Sequence, residues 1–522
     1  MPDSLSLTEI VKQLGTERNN STLGWDVVVN YKESEINALL EKSYHNDPKG
    51  HVKDLDMELS GYDQEANPYK ITFHLELGPP QIKFVGAGVY PTCELYIPVN
   101  GGQTKTPAQT LSIHAGAYEI KLMSLRLATM SGSTGKLTAG EKPFIFPQQG
   151  SETAAVTVDL RASSDSGFAV EFNKVSEDPA IQNKQVNVHL GDLAQRTRTY
   201  FVDPAHATSI QYKLASVDST PPPANYIALH PKSFCIAAYR SEVHSTVLSL
   251  FIQTSDIATG TTADLQQEWT SQWVHDYKVS PIPDTHSASI IFNHAMMHKT
   301  VISPALTHAN IDAAEPFFDP GKGLVYKIRT HKTIEEKAYQ KGMSHFNGFK
   351  VNLDDDDKTL RLTLGQNEKP GEPAAGYVTW DYTYEFKYGT TRFMPNPAGG
   401  ATSVDDSGTC TVKNSLSKKS AFSSKLSDGT LDMDLAISQS DWDAPKVTKT
   451  ADSVFSNVFG NAHPTWFDST LPSVPSINIH MGSLYFFLTT NLLMPGKKVI
   501  SIDANAGLRI PHDFYIVGNV VH

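Results

Sequence analysis

Residues 69–77 read YKITFHLEL: Tyr69, Ile71, Phe73, Leu75 and Leu77 alternate with Lys70, Thr72, His74 and Glu76, and Gly78-Pro79-Pro80 ends the run. A period of two sends successive side chains to opposite faces of a sheet, so this is a strand with one apolar and one polar face. Proline lacks the amide donor that a ladder needs, which is why the run stops there. The same signature recurs along the chain. Tyr118, Ile120 and Leu122 alternate with Glu119 and Lys121, slip by one residue at Met123-Ser124, and resume at Leu125 and Leu127. A one-residue slip is what a β-bulge does to a strongly bent strand. Val378, Trp380, Tyr382, Tyr384, Phe386 and Tyr388 form another stripe, and Leu431, Met433, Leu435 and Ile437 a fourth. The aromatic stripe suits either core packing on a pleated surface or a stacking platform. The fold class that follows is α+β, mostly antiparallel β.

Helical spacing is scarcer. Trp25 to Val29 reads as a strand leading into a helix, with Asn30 and Glu33 as a weak capping box and Ile36, Leu39, Leu40 and Tyr44 as an apolar stripe. A second helix is expected from near Thr285, with Ile290, Ile291, His294, Met297, His298 and Val301 on one face and Pro304 as its breaker. Val454, Phe455, Val458 and Phe459, capped by Gly460, predict a third, and Leu265, Trp269 and Trp273 a short fourth.

The chain has 522 residues, enough for two to four domains, and 44 basic against 56 acidic side chains. A net charge of −12 argues against a nucleic-acid partner, whose binding rests on Lys and Arg neutralising phosphates. Cys93, Cys235 and Cys410 are odd in number and far apart, so no disulfide framework is expected. The start, MPDSLSLTEIVKQLGTERNN, has no basic and apolar leader, which predicts cytoplasmic synthesis without a signal peptide. No apolar run reaches the ~20 residues of a membrane-spanning helix. Pro221-Pro222-Pro223 marks a boundary that divides the chain into 1–220 and 224–522. Softer breaks are expected at Met130 to Gly140 and at Pro395 to Gly408.

Reactive motifs are sparse. Neither GxSxG nor GxxxxGK[ST] occurs, and Gly86-Ala87-Gly88 lacks a third glycine. His294 and His298 stand four apart, a spacing that can share a metal, yet the zincin pattern needs Glu where Ala295 stands. Asp354 to Asp357 resemble a solvated hairpin tip more than a calcium loop, which needs alternating ligands and a glycine. Asp405 and Asp406, or Asp441 and Asp443, read as loop carboxylates of the glycosidase type, a role that their separation in space decides. No catalytic residue, metal site or cofactor is assigned.

Two segments, GWDVVVNYKESEINALLEK (24–42) and LYFFLTTNLLMPGKKVISID (484–503), resemble the OrfX-type accessory proteins encoded beside clostridial neurotoxins and related insecticidal toxins. The stretch from Leu229 through Leu250 to Thr300 fits the middle of that family, so the likeness spans nearly the whole chain. It implies a fold similar to the tubular lipid-binding (TULIP-like) superfamily: two domains, each a long curved sheet wrapped around a long helix. It also implies a non-enzymatic bacterial virulence accessory, bound to a lipid or other apolar ligand or to a toxin or protein partner, and released by a leaderless route. The residues expected to line an apolar tunnel, or else to be plain core, are Ile36, Leu39 and Leu40 on the first helix. Ile71, Phe73 and Leu75 on the strand, and Met296 and Met297 on the second helix, complete the set. Two alternatives stand beside this reading: an assembly protein that binds only another protein, and a hydrolase with a loop-assembled site.

Overall fold

A computed structural model of the chain describes residues 5–15, 21–46, 50–62, 68–85, 88–89, 92–132, 135–139, 143–147, 153–160, 168–219, 227–239, 246–254, 260–261, 280–308, 312–313, 316–319, 323–329, 333–337, 339–341, 344–346, 349–352, 360–366, 376–396, 398–415, 420–421, 423–427, 430–437, 446–451, 477–485, 500–503 and 505–521. The expected boundary at Pro221–Pro223 and the expected helices at 454–459 and 265–273 lie outside these residues. So do Asp354–Asp357 and the pair Asp441 and Asp443.

The elements used below are α1 (Leu7–Leu14), β1 (Val27–Lys32), α2 (Glu33–Asn46), β2 (Asp54–Tyr62), β3 (Pro68–Leu77) and β4 (Gln81–Phe84). β1 lies in the middle of an antiparallel sheet in the order Phe144–Ile145, Ser233–Tyr239, Val247–Gln253, β1, Ala288–Phe292, Phe514–Val520 and Ile500–Ile502. Val27, Val29 and Tyr31 join the main core on one face. Val28 points the other way into a second core with Ile10, Val11 and Leu14 of α1. A strand covered on both faces loses its alternation, hence the continuous apolar runs VVV and SIIF. β1 and Ala288–Phe292 form a matched pair at the centre of this sheet. Each of these strands leads into a helical segment and then a sheet, and each is flanked by a strand to which the chain later returns.

Between α2 and Ser233 the chain builds a curled antiparallel sheet in the order Lys213–Asp218, Thr153–Asp159, Tyr118–Ser131, Thr92–Lys105, β3 and β2. Its two 14-residue strands change partners along their length, which lets the sheet roll. Residues 126–131 of one pair with 154–159 and residues 118–123 with 169–174, so the change falls at the expected bulge. There Ser124 has φ 60°, and the register with the neighbouring strand shifts between Cys93 and Leu95. The other strand bends at Gly102, φ 134°, where a Cβ would stand 2.1 Å from the His74 carbonyl oxygen, so only glycine fits. The helix Leu190–Val202 contacts both the edge strand β2 and the strand Ala169–Lys174, joining distant parts of the roll.

Beyond Phe292 the helical segment runs from His294 to His308 and is followed by a second set of antiparallel strands, among them the hairpin Gly376–Asn396 and Gly400–Ser415. Four expectations are corrected here. Ala288–Phe292 is a strand and the helix begins only at His294. Pro304 does not end it, because a π-turn at His298–Ile302 precedes it and a wider i→i+5 turn tolerates a missing donor. Asn30 is not a cap: β1 continues to Lys32, and the Asn30 side chain is buried between two neighbouring strands. Finally, the break expected at 395–408 is the turn of the long hairpin, with Gly399 at φ 82°.

A hydrogen bond ties the entry to the central sheet to the final hairpin. His286 Nε2 meets Asp503 Oδ2 at 3.1 Å, while Asp503 Oδ1 accepts the backbone N–H groups of Asn505 and Ala506 at 2.9 and 3.3 Å. The His286 hydrogen bond, then those amides and the His286 charge, outweigh partial burial and hold the Asp503 carboxyl below its ordinary 3.8. A depressed folded pKa stabilises above the unfolded pKa and is lost as pH falls through the folded value. Asp503→Asn is therefore expected to cost stability near neutral pH, with a gap to the parent that closes below pH 3.8. Thermal midpoints measured against pH check this; a gap that persists unchanged far below that value contradicts it.

Candidate functional site

The apolar stripe of α2 carries Ile36, Leu39 and Leu40, all buried, with Tyr44 one turn on. On β3 the inward residues Ile71, Phe73 and Leu75 face Leu59, Met57 and Leu55 of β2 across the ladder, while Lys70, Thr72 and His74 point outward. Met296 and Met297 are buried in the helical segment after Phe292. All eight belong to one connected apolar core that also holds the inner residues of the central sheet.

Polar side chains seal α2 to the sheet in a way that the sequence pattern did not reveal. β4 pairs on one side with the strand Thr92–Lys105. Toward α2, Asn37 Nδ2 donates to the Ile82 carbonyl at 3.0 Å and Asn37 Oδ1 accepts the Ile82 N–H at 2.7 Å. Glu33 Oε2 accepts the Phe84 N–H at 2.8 Å. The Asn37 amide thus does what a further strand would do, satisfying an edge that would otherwise be exposed. Asn37→Ala leaves both Ile82 backbone groups unpaired. The expected loss is about 1–3 kcal/mol, with faster amide exchange at Ile82. Unchanged exchange there contradicts the assignment.

Over β2, β3 and the strand Thr92–Lys105 lies a groove of about 560 Å³ whose polar lining is Asp56, Glu58, Thr72, His74, Gln103 and Lys105. His74 Nδ1 and Asp56 Oδ1 are 2.8 Å apart, and that hydrogen bond raises the His74 pKa against the small penalty of burial.

The two histidines expected to share a face have different surroundings. His294 Nδ1 lies 2.8 Å from Asp513 Oδ1, and its ring stacks on His512. His298 is buried with its ring 5.5 Å from that of Tyr326. Asp405 and Asp406, expected in a loop, are inside the strand Gly400–Ser415, opposite Thr391 and Thr390. No helix among the described residues is long and apolar enough to cross a membrane.

No family model matches the sequence, and no curated protein matches it. Solved structures do. P47 from Clostridium botulinum A2 aligns with a TM-score of 0.42 at 10% identity, covering 96% of this chain and 98% of that one. P47 of Clostridium botulinum E1 gives 0.41 at 10% identity, covering 96% and 100%. A lipopolysaccharide binding protein gives 0.26 at 10% identity, covering 95% and 99%.

Proposed function

We propose that the chain is a non-enzymatic accessory protein of OrfX type that holds an apolar ligand, such as a lipid acyl chain, between α2 and the curled sheet. The observation that carries this reading is that the apolar stripe of α2 and the inward face of β3 belong to one apolar interior, enclosed by a sheet rolled by bulges. Such a roll needs an apolar filler, and one that takes a mobile filler is a carrier. Each methylene transferred from water contributes ~0.8 kcal/mol, so an acyl chain of ordinary length gains ~10 kcal/mol before ordering costs. Ile36, Leu39, Leu40, Ile71, Phe73 and Leu75 are the proposed lining in the first half, with Met296 and Met297 in the second, where flexible thioethers adapt to a variable guest.

The proposal includes a two-unit organisation of TULIP-like type, for which the notional units are 1–220 and 224–522. The matched central strands β1 and Ala288–Phe292, each leading into a helical segment and then further strands, support two units. In the central sheet β1 stands between Val247–Gln253 and Ala288–Phe292, so the units share that sheet. Titration of the full chain with a fluorescent long-chain fatty acid tests the carrier role. Saturable uptake that unlabelled phospholipid displaces is expected; absence of saturable uptake contradicts it.

The groove over β2 and β3 favours a second reading, a protein partner. Its carboxylates Asp56 and Glu58 stand beside Lys105 and His74, a mixed-charge surface suited to a polar protein contact rather than to a lipid tail. A partner that binds the ligand-free chain and is lost on Asp56→Lys supports it.

A further inference from the structure

Three segments far apart in the chain converge on one carboxylate. Asp513 is 2% exposed, just before the final strand Phe514–Val520. Its Oδ1 accepts the His294 backbone N–H at 2.9 Å and lies 2.8 Å from His294 Nδ1, while Ser21 Oγ donates to Oδ2. The His512 ring stacks on His294 with centroids 4.3 Å apart and planes 30° from parallel, and Phe318 packs on the same His512 ring at 4.6 Å. One donor atom from each of His294, His512 and Asp513 lies within 4.8 Å of the others.

We propose that His294, His512 and Asp513 bind a divalent transition-metal ion, with Zn²⁺ the ion their chemistry fits best. Two imidazoles and one carboxylate form the mixed nitrogen and oxygen set that zinc accepts, whereas calcium and magnesium call for oxygen ligands alone. Bonds of ~2.0–2.1 Å in a tetrahedron set ligand atoms about 3.3 Å apart. Closure from 4.8 Å is therefore a movement of about 1.5 Å, within reach of rotation of the two partly exposed imidazoles. Asp513 needs no such adjustment, because the His294 backbone N–H and the Ser21 hydroxyl hold it independently of the His294 ring.

Phe318 supplies the apolar shell that strengthens such bonds. The His294 side chain is 30% exposed, which leaves an open side for entry and for a water as fourth ligand. The bound ion would clamp the start of the second helix to the segment just before the last strand, with Ser21 joined to them through its hydrogen bond to Asp513.

The test is a Zn²⁺ titration of the chelator-treated full chain by calorimetry, with metal content read by elemental mass spectrometry. One Zn²⁺ per chain is expected, with a rise in thermal midpoint. His512→Ala should weaken binding about tenfold or more and abolish the rise. His512→Phe keeps the ring stack but has no lone pair, and should do the same if the alanine variant folds poorly. Co²⁺ in place of Zn²⁺ should give the intense visible bands of a four-coordinate ion in the parent and not in either variant. Failure to bind Zn²⁺ overturns the proposal, and so do binding and Co²⁺ bands that survive in both variants, since other histidines among the 19 would then hold the metal.

Discussion

Phe73→Ala is expected to destabilise the curled sheet by about 3–5 kcal/mol, among the largest losses that a single truncation can produce. The ring is wholly buried on the inward face of β3. Its cross-strand partners are Met57 of β2 on one side and Thr104 on the other. It also meets His189 edge-on at 6.1 Å, at the start of the helix that joins β2 to the strand Ala169–Lys174. Truncation therefore removes transfer free energy, opens a cavity and loosens the contact between sheet and helix together. The adjacent His74 is the control. It is on the outer face with its side chain 36% exposed, and His74→Ala should change stability by less than about 0.5 kcal/mol. Urea midpoints of both variants check the contrast; equal losses would mean that the two faces of β3 are wrongly assigned.

The second large effect is expected at Asn30, in the middle of β1. It is fully buried and stands directly opposite Ser249 on one neighbouring strand and Ser289 on the other. Ser249 Oγ donates to Asn30 Oδ1 at 2.6 Å, and Asn30 Nδ2 donates to Ser289 Oγ at 3.1 Å, while Ser289 Oγ donates onward to the Pro281 carbonyl at 2.8 Å. Asn30→Asp keeps the shape but buries a charge against the Ser249 and Ser289 hydroxyls, at an expected cost of about 3–5 kcal/mol near neutral pH. Burial raises the pKa of such a carboxyl, so the penalty should shrink as pH falls through that raised value and the group becomes neutral. Asn30→Val should cost about 1–3 kcal/mol, chiefly by leaving the Ser249 hydroxyl without its acceptor, since Ser289 keeps Pro281. Adding Ser249→Ala should recover much of that loss, because an apolar pair leaves nothing unsatisfied. A penalty for Asn30→Asp that does not vary with pH would contradict the buried triad.

These two residues also mark where the sequence is legible and where it is not. Phe73 could be assigned because β3 has one wet face, and alternation records that directly. The bulge at Met123-Ser124 was readable for the same reason, as a slip in an otherwise strict period. The central sheet was not, because it is covered on both sides: in Ala288–Phe292 every residue is buried, and an unbroken apolar run fits a helix as well as a strand. Asn30 looked like a helix cap because its type and its distance from Glu33 fit that role, and nothing local records that two serines more than two hundred residues away meet it. The contacts at the candidate sites were hidden likewise. Asn37 reads as an ordinary polar helix position until β4 is placed beside it, and His294 finds Asp513 only through the pairing of the last strand with Ala288–Phe292.

The account stands on an apolar interior that accepts a guest. Mass spectrometry of the organic extract from the full chain, purified without detergent, tests this most directly. The account predicts an apolar compound approaching one molecule per chain, with chain lengths that vary with the expression host. An extract free of such compounds, from a chain that also takes up no added fatty acid, would show that the interior is packed solely by its own side chains and would contradict it.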